Sequence, residues 1–92
     1  MFDSQMQANL YISASCHLLN RNTGGPGLVD SVSDVADARA CQCLCDAHAL
    51  CAHFVYHLPG HSARWGRVCQ LRSPALAGTR GEDMITVGPK FC

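Results

Sequence analysis

Seven cysteines are the residues of this 92-residue chain that could do chemistry, because a thiol can form a disulfide, bind a metal ion or attack an electrophile. Three of them form the run Cys41-Gln-Cys43-Leu-Cys45, and the others are Cys16, Cys51, Cys69 and Cys92. So many cysteines in so short a chain are typical of a secreted scaffold held together by disulfides, here with one thiol left over. Disulfide bonding is therefore the first interpretation, although spacing alone leaves the pairing open.

Two other kinds of cysteine chemistry are the alternatives. Zinc prefers thiolates and imidazoles, but it usually takes ligand pairs two to four residues apart on a turn, whereas C-x-C-x-C on a helix points its middle thiol away from the outer two. Cys43 could act as a nucleophile with His48 as its base, but the sequence shows no recognisable oxyanion hole beside them. We therefore predict no enzyme, no metal and no cofactor. The zinc ligands considered are Cys41, Cys43, Cys45, Cys51, His48 and His53.

The segment between Leu58 and Arg67 offers a second set of functional residues. Pro59, Gly60 and Gly66 predict a long exposed hairpin loop. Trp and Arg dominate binding hot spots, and a Trp can also stack on a sugar or cap the edge of a small core. The predicted ligand contacts are His61, Arg64, Trp65 and Arg67. His57 and His61 flank the loop and are interpreted as solvated surface histidines that titrate near neutral pH.

One helix positions the cysteine run. Apolar residues recur at helical spacing from Asp37 to about His48, and Asp37 suits the N-cap. Cys41 and Cys45 fall on the predicted core face, whereas Cys43 lies about 200° around the helix from Cys41 and is predicted to be the unpaired thiol. The predicted core face comprises Ala38, Cys41, Leu44, Cys45 and His48.

Short strands account for the rest of the predicted structure. Alternating or β-branched residues predict strands over 28–32, 52–57, 68–72 and 84–87, and the second and third of these are each expected to bury one face. Residues 20–27 and 73–83 are rich in turn formers and are predicted to be loops. Residues 10–12 are either a first strand or a docked terminus. The sum is an α+β domain with one helix and four or five antiparallel strands.

Composition restricts the function classes. Apolar residues make up 48% and charged residues 15%, which is typical of a packed globule. Lys plus Arg equals Asp plus Glu at 7 each, so no net field attracts nucleic acid or an anionic membrane. No apolar run approaches the roughly 18 residues of a membrane span, and the chain begins without the pattern of a secretory signal. We therefore expect a domain of a longer secreted protein.

The spacing of the cysteines with the helix and the aromatic strand resembles the PAN/apple domain. The resemblance rests on Asp37-x3-Cys41-Gln42-x2-Cys45-x5-Cys51-x2-Phe54-x-Tyr56, the later Cys69-x-Leu71, and flanking Cys16 and Cys92. Such domains occur in plasma prekallikrein and factor XI. The ending Gly88-Pro89-Lys90-Phe91-Cys92 is most similar to apple repeats of microneme adhesins from apicomplexan parasites such as Eimeria and Toxoplasma.

The resemblance implies a five-stranded antiparallel sheet crossed by one helix. It also implies disulfides between Cys41 and Cys69, between Cys45 and Cys51, and between Cys16 and Cys92. Cys43 departs from the family's six-cysteine pattern, so it is expected to stay free, to bond to a second chain, or to exchange with Cys41 or Cys45. The domain is expected over residues 16–92, after a linker or docked terminus over residues 1–15.

The function that the resemblance implies is non-enzymatic adhesion outside the cell. The expected partner is a protein or glycan ligand on a host cell, or another secreted adhesin, with no nucleic acid and no membrane insertion. As one of several tandem repeats, the domain would pass through the microneme to the cell surface and serve host-cell attachment and invasion. The alternatives are a galactose-type lectin and a vertebrate-type module that binds a plasma protein.

Overall fold

Five antiparallel strands and one helix make up the part of the chain that the structure, a computed structural model, describes: residues 17–24, 26–76 and 78–90. The strands pair in the order β1-β5-β3-β4-β2, which confirms the predicted α+β class and the single sheet. The prediction for residues 10–12 lies outside the described residues. The elements are β1 (Leu18–Asn22), β2 (Leu28–Val32), α1 (Ala38–Ala47), β3 (His53–His57), β4 (Cys69–Arg72) and β5 (Arg80–Pro89).

Helix α1 begins and ends close to where the sequence predicts. The Asp37 side chain accepts a 2.8 Å hydrogen bond from the Ala40 N–H, so it caps one of the free amides of the first turn. At the other end the His48 N–H donates to the Cys45 carbonyl at 3.1 Å. Asp37 is thus confirmed as the N-cap.

The buried face of α1 differs from the prediction. Cys41, Gln42 and Cys45 are buried, whereas Leu44 is 36% exposed. Gln42 points inward because its amide donates to the Pro89 carbonyl at 3.1 Å and its oxygen lies 3.0 Å from the His17 ring nitrogen. A buried amide is tolerated where both its polar atoms have partners, and here these partners join the helix to the edge of the sheet.

The main core lies between α1 and one face of the sheet. Phe54 and Tyr56 of β3 point into it, together with Leu71 of β4. The Tyr56 hydroxyl donates to the Val35 carbonyl at 2.6 Å, which satisfies both groups inside the core. The core is therefore closed on the helix side by apolar packing and by one buried polar pair.

The opposite side of the sheet, which we call the helix-free face, is also buried. Because side chains alternate along a strand, His53, Val55 and His57 of β3 lie on this face, and all three are buried. Val55 packs with Ile85 and Val87 of β5 in a second apolar cluster. The prediction that this strand buries one face only is therefore wrong, since a second layer covers it.

That second layer is a ribbon formed by β1 and the first half of β5. The predicted loops over 20–27 and 73–83 are partly wrong, because Asn22 pairs with Arg80 and Arg21 with Gly81. The main-chain hydrogen bonds of this pairing extend both strands into segments whose side chains alone predict turns. The remainder of each segment is a connection between strands.

The ribbon folds back over the helix-free face. Pro89 at the end of β5 pairs with His53, so a straight β5 would carry Arg80 about 30 Å away from His53. Thr23, one residue beyond the Asn22–Arg80 pair, nevertheless places its hydroxyl 3.1 Å from the His53 ring. The ribbon must bend between these points.

The bend lies at two residues in the left-handed region. Asn20 has φ 58° and Met84 has φ 65°. The Met84 N–H donates to the Asn20 side-chain oxygen at 3.2 Å, and the β1–β5 register shifts at the same place. Between the Leu19–Thr86 and Arg21–Gly81 pairs, one residue of β1 lies opposite four of β5, and such an interruption of the pairing lets the two strands bend.

Candidate functional site

The loop over residues 58–67, between β3 and β4, is built as a series of tight turns. The Arg67 N–H donates to the His57 carbonyl at 2.8 Å, which closes the base of the loop. Inside it, the Gly66 N–H donates to the Ser62 carbonyl at 2.9 Å, and the Trp65 N–H donates to the Ser62 hydroxyl at 3.0 Å. These bonds preorganise the loop, so little ordering entropy is lost on binding.

Two backbone positions fix the return of the loop to β4. A Cβ at Gly66 would lie 2.7 Å from the Pro59 carbonyl oxygen and 2.9 Å from that of Ser62, so only glycine fits there. Arg67 follows with φ 67°, in the left-handed region. The loop also docks on β5, because the Leu58 N–H donates to the Met84 carbonyl at 2.9 Å.

Trp65 lies on a buried histidine. Its indole stacks on the His57 ring with centroids 5.0 Å apart and planes at 26°. His61 meets the same His57 ring edge to face, with centroids 5.2 Å apart. The Arg64 guanidinium lies 5.4 Å from the centre of the indole ring, within the range of a cation–π contact. An aromatic ring and a cation are thus held side by side at the surface.

His57 is the structural centre of this cluster. Its Nδ1 donates to the Val68 carbonyl at 3.0 Å, because a carbonyl can only accept. Burial lowers the pKa of His57, the Val68 carbonyl opposes that change, and the charges of His61 and Arg72 lower the pKa further while Glu82 raises it. The prediction that His57 is a solvated surface histidine is wrong, because its side chain is buried with Trp65 stacked on the ring.

The structure brings together three of the four predicted ligand contacts. His61 and Trp65 contact the His57 ring, and Arg64 lies over the Trp65 indole. Arg67 lies toward the helix side instead: its carbonyl accepts the Val35 N–H at 2.9 Å, and its charge lowers the pKa of Tyr56 against the larger effects of burial and of Asp37, which raise it. The site therefore centres on Trp65, with Arg67 at its margin.

Sequence reasoning named His57 but missed its buried position beneath the loop, and it missed Glu82 altogether. His57 supplies the surface on which Trp65 stacks, and Glu82 of the ribbon acts on its charge. The spacing of His53, Val55 and His57 on alternate positions of one strand is a signal for His57, because it places both imidazoles on one face. Glu82 gives no such signal, since only the bend of the ribbon brings it near.

With this geometry in place, comparison with known protein families gives one match. The model of the PAN domain matches residues 16–92. The chain belongs to the PAN domain family. No curated protein matches the chain.

PAN domains are adhesion modules that bind proteins or carbohydrates, and they are generally non-catalytic. A disulfide-rich PAN domain is typical of an extracellular or secreted protein. None of the helices in the described ranges is long and apolar enough to cross a lipid bilayer. The role of this PAN domain therefore depends on which of its surfaces meets a partner.

The cysteines of this PAN domain form its covalent framework. Cys41 is bonded to Cys69, which ties α1 to β4, and Cys45 is bonded to Cys51, which closes the end of the helix. Cys43 is an exposed free thiol. The pair Cys16 and Cys92 lies outside the described residues.

The alternative uses of these cysteines meet physical obstacles. Zinc binds thiolates, whereas the Cys41, Cys45 and Cys51 sulfurs are in disulfides. Within the described ranges, no group of three or more His, Cys, Asp or Glu residues is arranged to hold a metal ion. His48, considered above as a base for Cys43, uses Nδ1 to accept the Leu50 N–H at 3.1 Å. Cys41 and Cys45 are therefore committed to disulfides, and the Nδ1 atom of His48 is committed to the turn after the helix.

Proposed function

We propose that this PAN domain is one of several tandem repeats of an apicomplexan microneme adhesin and binds a ligand through its 58–67 loop. The parent protein would be stored in the microneme and released to the cell surface for host-cell attachment and invasion. Support for this source comes from the ending Gly88-Pro89-Lys90-Phe91-Cys92, which resembles the apple repeats of such proteins.

The observation that carries the proposed site is the preorganised pair of Trp65 and Arg64. Trp65 is held from below by His57 and from within the loop by Ser62, while Arg64 is exposed and lies over the indole. Trp and Arg are the residue types most enriched in binding hot spots, and a rigid loop loses little entropy on binding. We therefore favour a protein partner, such as a host-cell surface protein or another secreted adhesin.

A galactose-type lectin is the second candidate. It is favoured by the same indole, because an aromatic ring can stack on the apolar face of a sugar. A third and weaker candidate is a vertebrate-type module that binds a plasma protein. All three would use Trp65, so the ligand itself must separate them.

The test measures binding of the purified domain to a glycan array and, in parallel, to secreted and host-surface proteins by pull-down. A protein partner predicts capture that free sugars do not reduce, whereas a lectin predicts array binding that free galactose competes away. Trp65→Ala should weaken either interaction by about 30-fold, the effect of losing a hot spot worth about 2 kcal/mol. Arg64→Ala should weaken it less.

Two control variants are matched to these substitutions. Arg39→Ala removes the same charge from an exposed position on α1, and Leu50→Ala removes a large side chain that is 67% exposed after the helix. Both should leave binding unchanged. Binding that survives Trp65→Ala and Arg64→Ala at full strength would exclude the 58–67 loop as the site.

A further inference from the structure

Two buried histidines of β3 each hold a segment that covers the helix-free face. His53 is 4% exposed and His57 is 6% exposed, and they flank Val55 on that face. Nδ1 of each ring donates to a main-chain carbonyl, that of Pro74 for His53 and that of Val68 for His57. In the neutral ring this leaves Nε2 as the acceptor nitrogen.

His53 fastens the folded-back ribbon. Its Nε2 accepts from the Thr23 hydroxyl at 3.1 Å, at the end of the ribbon, while its Nδ1 holds Pro74 in the connection between β4 and β5. Leu76, two residues beyond Pro74, packs on the apolar cluster of this face. One imidazole therefore joins both segments that close the helix-free face.

His57 fastens the 58–67 loop. Trp65 stacks directly on its ring, and the Val68 carbonyl that accepts its Nδ1–H lies at the start of β4. The ribbon lies near the same end of β3, because the Leu58 N–H donates to the Met84 carbonyl at 2.9 Å and the charge of Glu82 raises the pKa of His57. The 58–67 loop is thus held on one buried side chain.

Burial and nearby positive charge oppose a proton on both rings, whereas Glu82 favours one on His57. Burial is the main cause that lowers the pKa of His53, and Arg72 of β4 adds to it against the Pro74 carbonyl. For the pKa of His57, burial is again the main lowering cause, with contributions from His61 of the loop and Arg72, while the Val68 carbonyl and Glu82 of β5 raise it. A second positive charge beside Arg72 is therefore resisted in the closed state.

We propose that the helix-free face is an acid-operated latch, in which protonation of His53 and His57 releases the folded-back ribbon and the 58–67 loop while the helix side stays folded. Above the ordinary histidine pKa of about 6.5 both rings are neutral and the latch is closed. In an open state the histidines are solvated and bind protons at a higher pH than they do in the closed state. Opening therefore becomes more favourable as the pH falls below about 6.5. Each full pKa unit between the two states makes opening about tenfold easier.

Trp65 is the only tryptophan of the chain, so its fluorescence reports on the ring beneath it. The intact protein is titrated from about pH 7.5 to about pH 4.5, with fluorescence and amide hydrogen exchange measured at each step. We expect a fluorescence transition with its midpoint below pH 6.5. We also expect a loss of protection of about tenfold or more at the Leu58, Arg67 and Ser73 amides, with no comparable loss in α1.

Substitutions identify the groups responsible. Asparagine keeps an amide donor near the position of Nδ1 but does not titrate, so the double variant His53→Asn/His57→Asn should lose the transition, and each single variant should lose part of it. His48→Asn, at the end of α1, should keep it. If the double variant does not fold, the ring-proton NMR titrations of the unsubstituted protein decide: two histidines must titrate below 6.5, together with the loop amides.

Three results would overturn the latch: fluorescence and exchange that do not change down to the acid limit, a transition that survives the double substitution, or loss of protection in α1 at the same pH as in the loop. The opening itself does not depend on the proposed function. Release of a ligand in acid, which would follow from the opening, does rest on the proposed function. Repeating the binding measurements at about pH 5 separates a failure of the latch from a failure of the proposed function. A domain that opens but binds nothing at either pH keeps the latch and refutes adhesion through this loop.

Discussion

Removing the two described disulfides one at a time should destabilise the domain by different amounts. The Cys41–Cys69 bond closes a loop with a sequence separation of 28, whereas Cys45–Cys51 closes one of 6. In the chain-entropy model, these separations correspond to about 3.6 and about 2.2 kcal/mol at 25 °C. The double variant Cys41→Ala/Cys69→Ala should therefore lose about 1.4 kcal/mol more than Cys45→Ala/Cys51→Ala.

The comparison of the two variants isolates the contribution of loop-closure entropy to the free energy of unfolding. All four cysteines are buried in the same core, so the packing lost is similar in the two variants. Urea denaturation of both variants and of the unsubstituted protein gives the free energies, provided that the slopes agree. Each variant carries Cys43→Ser as well, so that the exposed thiol cannot exchange with the remaining bond. Equal destabilisation of the two variants, or a larger loss for Cys45→Ala/Cys51→Ala, would refute the reasoning.

Four further predictions concern single features. Tyr56→Phe should cost about 1 kcal/mol in urea unfolding, because the buried Val35 carbonyl loses its donor, and an unchanged midpoint would contradict this. Asp37→Ala should cost about 1 kcal/mol through loss of the helix cap, whereas Asp37→Asn should restore most of it. Gly66→Ala should disturb the Trp65 environment, seen as changed fluorescence, because the new methyl group meets the Pro59 carbonyl. The free energy of unfolding should be highest above pH 6.5 and fall toward pH 5, since burial lowers the pKa values of the two β3 histidines below those of the unfolded chain; a flat profile would show that they do not contribute.

The helix and the strands β2 and β3 could be predicted because their signals are local patterns in the sequence. Asp37 and the spacing of Cys41 and Cys45 locate the helix, since capping and helical period act within a few residues. The β-branched run of β2 and the aromatic run of β3 locate those strands in the same way. Trp65 could be chosen as a candidate contact residue because its type and its loop are visible in the sequence, and its contact with a ligand stays a prediction.

Non-local contacts explain what the sequence did not predict. The ribbon depends on the pairing of Asn22 with Arg80, residues far apart in the chain and each set among turn formers. Because the ribbon folds back, Thr23 reaches His53, whose side chain is buried. Gln42 is buried for a similar reason, because its partners His17 and Pro89 come from opposite ends of the described chain.

The pairing of Leu18 with Val87 has a geometric consequence for how the domain can be mounted. The first and last described residues, His17 and Lys90, lie at the end of the sheet where β3 begins, since His17 meets Phe54 and the Lys90 N–H donates to the Ala52 carbonyl. The 58–67 loop lies beyond the other end of β3. The described chain therefore enters and leaves the sheet at the end remote from Trp65, and a module joined directly at His17 or Lys90 would lie at that end. Copies joined in series would each leave the 58–67 loop accessible. Several weakly binding loops on one chain could then engage a surface together, and their combined avidity would exceed the affinity of a single domain.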